Sequence, residues 1–164
     1  MRSASDLLAT IAGSFAAHGL VLRGGFDFVD NEDRPTGLSG RLARSILRVG
    51  NAGAAYWPHF ARWRRDQPDG LANPLDTWSR IVLSGVAENC GARVLMPNDR
   101  PYAPFQQWAM RAEGLRPSPL GLLIHPRYGL WHAWRGALLF DVEISIQAPA
   151  CRFIPARHVP ENPA

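Results

Sequence analysis

The chain has 164 residues, 46% of them hydrophobic, with 18 basic and 14 acidic side chains and a formal net charge of +4. That is enough apolar material for one domain with its own core, and no run approaches the ~20 apolar residues of a membrane span. All 18 basic residues are arginine; they are scattered rather than gathered on one face, which argues against a nucleic-acid partner and reads as the codon usage of a GC-rich genome.

Met1 to Asp6 leads into an amphipathic segment, so no signal peptide is expected, and neither is a membrane partner; the expected location is the cytoplasm. Ser5 or Asp6 caps a first helix carrying Leu7, Leu8, Ile11 and Phe15 at helical spacing, and Gly19 ends it. Leu20 to Val29 alternates loosely around Gly24-Gly25, which predicts a strand or a bulged strand. A polar loop, Asp30 to Gly37, follows. Arg41 to Val49 fits a buried strand or a helix by periodicity alone. The small-residue turn Gly50-Asn-Ala-Gly53, followed by Tyr56, Trp57, Phe60 and Trp63 at helical spacing, favours strand, turn, helix. Such a turn can present backbone N–H groups to an anion, although a plain tight connection is the stronger reading. Arg62, Arg64 and Arg65 read as a solvated helix end rather than a phosphate site.

Asn73-Pro74 opens a helix through Trp78, Ile81, Val82 and Val86 to Asn89, stopped by Gly91. Cys90 at its end reads as a buried small hydrophobe. Arg93 to Met96 is a short strand, Pro97 to Pro101 a loop, and Phe105 to Glu113 a helix carrying Trp108 and Met110. The final pair is a hairpin: Leu122 to Ile124, the turn Pro126 to Gly129, then Leu130 to Phe140. Helix, strand, strand, helix, helix, strand, helix, strand, strand is the order of an α+β domain, expected over residues 1–147 and followed by an irregular proline-rich tail, 148–164.

The hairpin holds the candidate site. Alternation puts Trp131 and Arg135 on one face and His132, Trp134 and Gly136 on the other. Arg135 could stack on Trp131 or fork two hydrogen bonds to a carboxylate or phosphate, and Gly136 leaves room for a ligand or a backbone. His125 could be imagined as an axial metal ligand, but a histidine before proline at a strand end is more often a hydrogen-bonded structural residue. Asp141 and Glu143, with no partner histidine, point to solvent exposure rather than acid–base chemistry. Six tryptophans are many for this length; for any one of them, cavity lining and ordinary core are equally good readings. Neither a Ser/His/Asp constellation nor a P-loop is recognisable.

The stretch Gly121-Leu-Leu-Ile-His125-Pro-Arg-Tyr-Gly129-Leu-Trp131-His-Ala-Trp-Arg135-Gly136 resembles the corresponding part of the cobalamin-processing family of methylmalonic aciduria type C. Trp108-Ala-Met-Arg-Ala-Glu-Gly-Leu115 is similar to a region of epoxyqueuosine reductase. Val49-Gly-Asn-Ala-Gly53, Trp57 and Asn73-Pro-Leu-Asp76 resemble proteobacterial ferredoxin-like proteins, which continue into a cysteine-rich iron–sulfur segment. The likeness runs over about residues 5–146 and is specific at 49–57 and 102–140. It implies a nitroreductase-like mixed sheet flanked by helices, with a corrinoid or flavin pocket shaped by Gly121, His125, Pro126, Gly129, Trp131, Arg135 and Gly136. Arg135 would contact carboxylate, amide or phosphate groups of the ligand.

This chain departs from that pattern at its end. An iron–sulfur cluster takes about four cysteine thiolates, whereas only Cys90 and Cys151 are present, so the chain cannot ligate one by itself. The tail does not resemble a cluster segment, and a reading-frame shift near residue 150 is the expectation. Three readings stand. One is the N-terminal domain of a ferredoxin-like electron-transfer protein without its cluster, with a redox protein as partner. The second is a corrinoid- or flavin-binding reductase or cofactor-processing domain. The third is a non-enzymatic scaffold whose aromatic residues are only core.

Overall fold

The computed structural model describes residues 4–146; the tail from 148 onward, with Cys151 and the expected frame shift, lies outside them. In chain order the elements are α1 (Ala4–Ala16), β1 (Val21–Asp27), β2 (Ser45–Ala52), α2 (Trp57–Arg65), α3 (Pro74–Cys90), β3 (Arg93–Leu95), α4 (Phe105–Glu113) and β4 (His132–Phe140). The described residues thus form an α+β fold with an open sheet in the order β1-β2-β4-β3, every neighbouring pair antiparallel.

Helices cover both faces of this sheet, so its central strands are apolar on both sides. Leu47 and Val49 of β2 and Leu138 and Phe140 of β4 pack with Phe15 of α1 and Leu83 of α3. The intervening residues, Ile46, Ala137 and Leu139, pack on the opposite side with Phe26, Phe105 and Trp108. The strand period of two therefore sends β2's next residue on that second side, Arg48, inward under α4. Local chemistry sets the ends. Pro74 sits in the first turn of α3, and Gly91 closes it in the left-handed region at φ 68°. β1 is the bulged form of the two strands expected, with a register shift between Leu22 and Gly25 and Gly24 at φ 71°. Cys90 is half-buried against the α1–α3 core, and burial pushes its thiol pKa up.

Two expectations need correction. The hairpin between 122–124 and β4 does not form. One edge of β4 pairs along its length with β2 and the other with β3 at Ala137–Leu139, while Leu123 meets the start of β4 only through the contact of its carbonyl with His132 Nε2. Leu123 instead bridges Pro117, while the expected tight turn is real and is closed by reciprocal backbone bonds between His125 and Gly129, 3.0 and 2.8 Å. Gly50-Asn51-Ala52 is not a turn but the end of β2, paired with Trp134, Ala133 and His132; the turn begins at Gly53. A Cβ on Gly50 would overlap the carbonyl oxygen of Ala133, so this glycine serves close strand approach.

Candidate functional site

Arg48 and its neighbour across the sheet, Arg23 of β1, are 0% and 3% exposed. Both converge on one carboxylate, Glu113, in the last turn of α4. Arg23 donates from Nε and Nη2 to Glu113 Oε2 at 3.0 and 2.8 Å; Arg48 donates from Nη2 to Oε1 at 2.8 Å and from Nη1 to the Trp108 carbonyl at 3.3 Å. Trp134 Nε1–H adds a bond to Oε1 at 3.2 Å, and its ring lies 5.1 Å from the Arg48 guanidinium. A carboxylate at a helix C-terminus opposes the helix dipole, and the two guanidiniums offset that. Burial pushes the Arg48 pKa down to about 10, against the attraction of Glu113, so it stays charged at neutral pH. Arg23 Nη1 and Arg48 Nε find no partner among the described residues. With its oxygens occupied by three donor side chains, Glu113 is not a free general base. The triad ties β1, β2, β4 and α4 together.

Two histidines close the open side of this triad. His132 Nδ1 lies 3.1 Å from Arg23 Nη2, which can only donate, so Nδ1 accepts; Nε2, 3.1 Å from the Leu123 carbonyl, then carries the proton. His125 Nδ1 accepts the backbone N–H of Arg127 at 3.0 Å and of Tyr128 at 3.3 Å, and its Nε2 faces Glu113 Oε2 at 3.6 Å. The His125 ring stacks on Tyr128, centroids 4.4 Å apart. Both are neutral Nε2–H tautomers. Desolvation first, and then Arg23, holds both pKa values below the usual 6.5. Both His132 nitrogens are thus hydrogen-bonded, whereas His125 commits Nδ1 to two backbone amides and its Nε2 makes only the 3.6 Å approach to Glu113. Among the described residues no group of three or more His, Cys, Asp or Glu side chains is placed to bind a metal ion.

On the other side of His132 lies a shallow depression of about 260 Å³, walled by the β2–α2 turn and the segment entering β4. Tyr56, Trp57, Leu130 and Trp131 line it together with Asn51 and Ala133. Trp57 is 55% and Trp131 81% exposed. Arg135 stands beside it, donating from Nε to Asn51 Oδ1 at 2.8 Å with its guanidinium 5.5 Å from the Tyr56 ring centre. It makes no ion pair within 4 Å among the described residues. A larger open groove of about 660 Å³ runs along α3, but Arg80 there is paired with Asp99, and Asp76 accepts from Asn98.

The expected site residues therefore separate. Trp131 lines this depression, and Arg135 stands at its margin through Asn51 and Tyr56, the aromatic ring over which its guanidinium lies. The register shift opposite Val49 and Gly50 breaks the alternation that the sequence suggested for β4. His125 belongs to the buried cluster, and Pro126 to the turn that positions it. Gly121 and Gly129 adopt φ of 74° and 59° with open space around a would-be Cβ, so both are turn glycines. Gly136 faces the core, where a Cβ would overlap Leu83 Cδ2 and sit 3.1 Å from the Leu95 carbonyl oxygen. In the turn before α2 the Gly53 amide donates to the Trp131 carbonyl and the Trp57 amide to that of Ala54. Glu143 is paired with Arg44, and Asp141 accepts the Ser39 amide, so both serve the loops past the end of β4.

Sequence reasoning missed Arg23, Arg48, Glu113, Tyr128 and Trp134. A signal existed for Arg48, a charge set inside the run Ile46-Leu-Arg-Val49 of a strand buried on both faces. The chain matches no known protein-family model, and no curated protein shows significant similarity to it.

Proposed function

We propose that this domain binds a flat conjugated cofactor of the flavin or corrinoid class in the depression between Trp57 and Trp131. The carrying observation is the pair of exposed tryptophans bordering one concavity, with the arginine of Arg135 at its margin. Isolated surface apolar residues are ordinary, but two indoles around one hollow form a stacking platform. The hollow is slightly smaller than the ~300 Å³ lower bound of typical ligand pockets, so it suits the edge of a flavin ring; a corrin would have to lie across the exposed rim. His132, the imidazole at its wall, has both nitrogens engaged and offers nothing to a cobalt ion. Arg135 is the group to meet a phosphate or carboxylate of the ligand. When bound, such a ring supplies one- or two-electron chemistry, and the chain's contribution is binding and orientation.

This reading makes the domain the cofactor-holding part of a cytoplasmic redox system with a redox protein as partner. It is in keeping with the sequence resemblance to ferredoxin-like and cobalamin-processing proteins. Isothermal titration with flavin mononucleotide, riboflavin and hydroxocobalamin tests it. Flavin mononucleotide should bind saturably, with affinity falling three- to tenfold in Trp131→Ala, since an aromatic stack is worth about 0.5–1.5 kcal/mol. Arg135→Ala should cost about ten- to a hundredfold for the phosphorylated flavin and little for riboflavin, as a charge-assisted bond is worth about 1.5–3 kcal/mol. Saturable heat with none of the three ligands sinks the proposal and leaves the scaffold reading.

A further inference from the structure

We propose that residues 123–131 form an acid-released cover over the Arg23–Arg48–Glu113 triad, held by His125 within it and by His132 at the start of β4, both in their neutral forms. The cover carries Leu130 and Trp131, which also wall the depression, but its hold on the triad does not depend on what the depression binds. Each histidine uses Nδ1 as an acceptor and has donors already pointed at it: the Arg23 guanidinium for His132, two backbone N–H groups for His125. Protonation turns each acceptor into a donor and sets N–H against N–H. Charge works in the same direction. Arg23 from β1, Arg48 from β2 and Arg127 in the cover itself face the imidazoles, whose rings are 5.8 Å apart. Glu113 from α4 is the opposing carboxylate in contact, and its oxygens are already shared by Arg23, Arg48 and Trp134. Two imidazoliums would leave that single buried carboxylate among two guanidiniums and two further cations.

Residues 123–131 carry no ladder of their own: the Pro117–Leu123 bridge, the His132 bond to Leu123 and the Gly53 amide on the Trp131 carbonyl tie them to the rest, and the β2–β4 ladder begins at His132, opposite Ala52. Leu122 and Ile124 are about half exposed, so only Leu123 anchors it in the core, against Ala109 and Leu115. The sign follows from the lowered pKa values. The open form, with ordinary histidines near 6.5, takes up more protons than the closed form. The cover is therefore fully favoured above about pH 6.5 and loses ground as pH falls toward the closed-state pKa values.

Hydrogen exchange, expressed as protection relative to intrinsic rates, measures this directly on the intact chain. Between about pH 7.5 and 5.5 the protection of the His125 and Gly129 amides should fall by on the order of tenfold for each histidine that titrates, while Val49 and Leu138 in the central strands hold theirs. His125→Gln/His132→Gln, which cannot titrate, should flatten the dependence. A second measurement needs no variant: nitrogen chemical shifts should report the Nε2–H tautomer for both rings at neutral pH. A pH-independent cover, an equal loss of protection at Leu138, or a ring that is charged or Nδ1-protonated at pH 7 would each overturn the proposal.

Discussion

Replacing Glu113 by glutamine is expected to destabilise the domain by about 3–5 kcal/mol, the usual cost of removing one partner from a buried ion pair. The amide keeps the size of the carboxylate and one acceptor oxygen, but it removes the charge and turns the other oxygen into an NH2 donor facing donors of Arg23, Arg48 or Trp134. Arg48, 0% exposed, and Arg23, 3% exposed, would be left facing each other with nothing between them to compensate. Domains of this size have roughly 5–15 kcal/mol in total, so the urea midpoint should fall by a large fraction or folding should fail. Removing the whole triad is a different matter. Arg23→Met, Arg48→Leu and Glu113→Leu together should recover most of the loss, because apolar replacement of a buried ion network is often neutral or better. A Glu113→Gln cost below about 1 kcal/mol would mean that water reaches the triad and screens it.

Gly136→Ala is expected to cost about 1–3 kcal/mol, the range for overpacking a filled core. The added methyl would meet Leu83, itself fully buried, with Met96 Sδ at 3.2 Å and the Leu95 carbonyl oxygen at 3.1 Å closing the other directions. The consequence for the cofactor reading is specific. If Gly136 shaped a ligand pocket, the substitution would weaken binding and spare stability; from its position under α3 it should lower the thermal midpoint and leave flavin affinity within about twofold once the folded fraction is accounted for. A stable Gly136→Ala variant that no longer bound flavin would move the ligand site away from the Trp57–Trp131 depression and onto the α3 face of β4.

Much of the architecture is legible in the chain itself. Phe105–Glu113 appears over the same residues that its periodicity marks, and α3 runs from Pro74 to a stop at Gly91 because proline, the apolar stripe and glycine all act locally. The last strand was misassigned a partner for the opposite reason. A run such as Leu122-Leu-Ile124 carries β propensity but no information about which strand it will meet, and β2 reaches β4 from eighty or more residues away. The site divided along the same line. Trp131 and Arg135 stood out as residue types suited to a ligand, whereas Arg23, Arg48 and Glu113 are ordinary in sequence and become a unit only when three elements bring them together.

By itself the sequence determined the class of fold, the place of nearly every helix and strand, and the tight turn at His125–Gly129, since each depends on contacts within a few residues of the chain. Only the tertiary structure decided which strands pair, how a one-residue bulge redirects β4, and that two arginines, a glutamate and two neutral histidines share one buried space. Pairing and burial are set by competition among distant segments for the same edges and the same core volume, and no local window of residues contains the outcome.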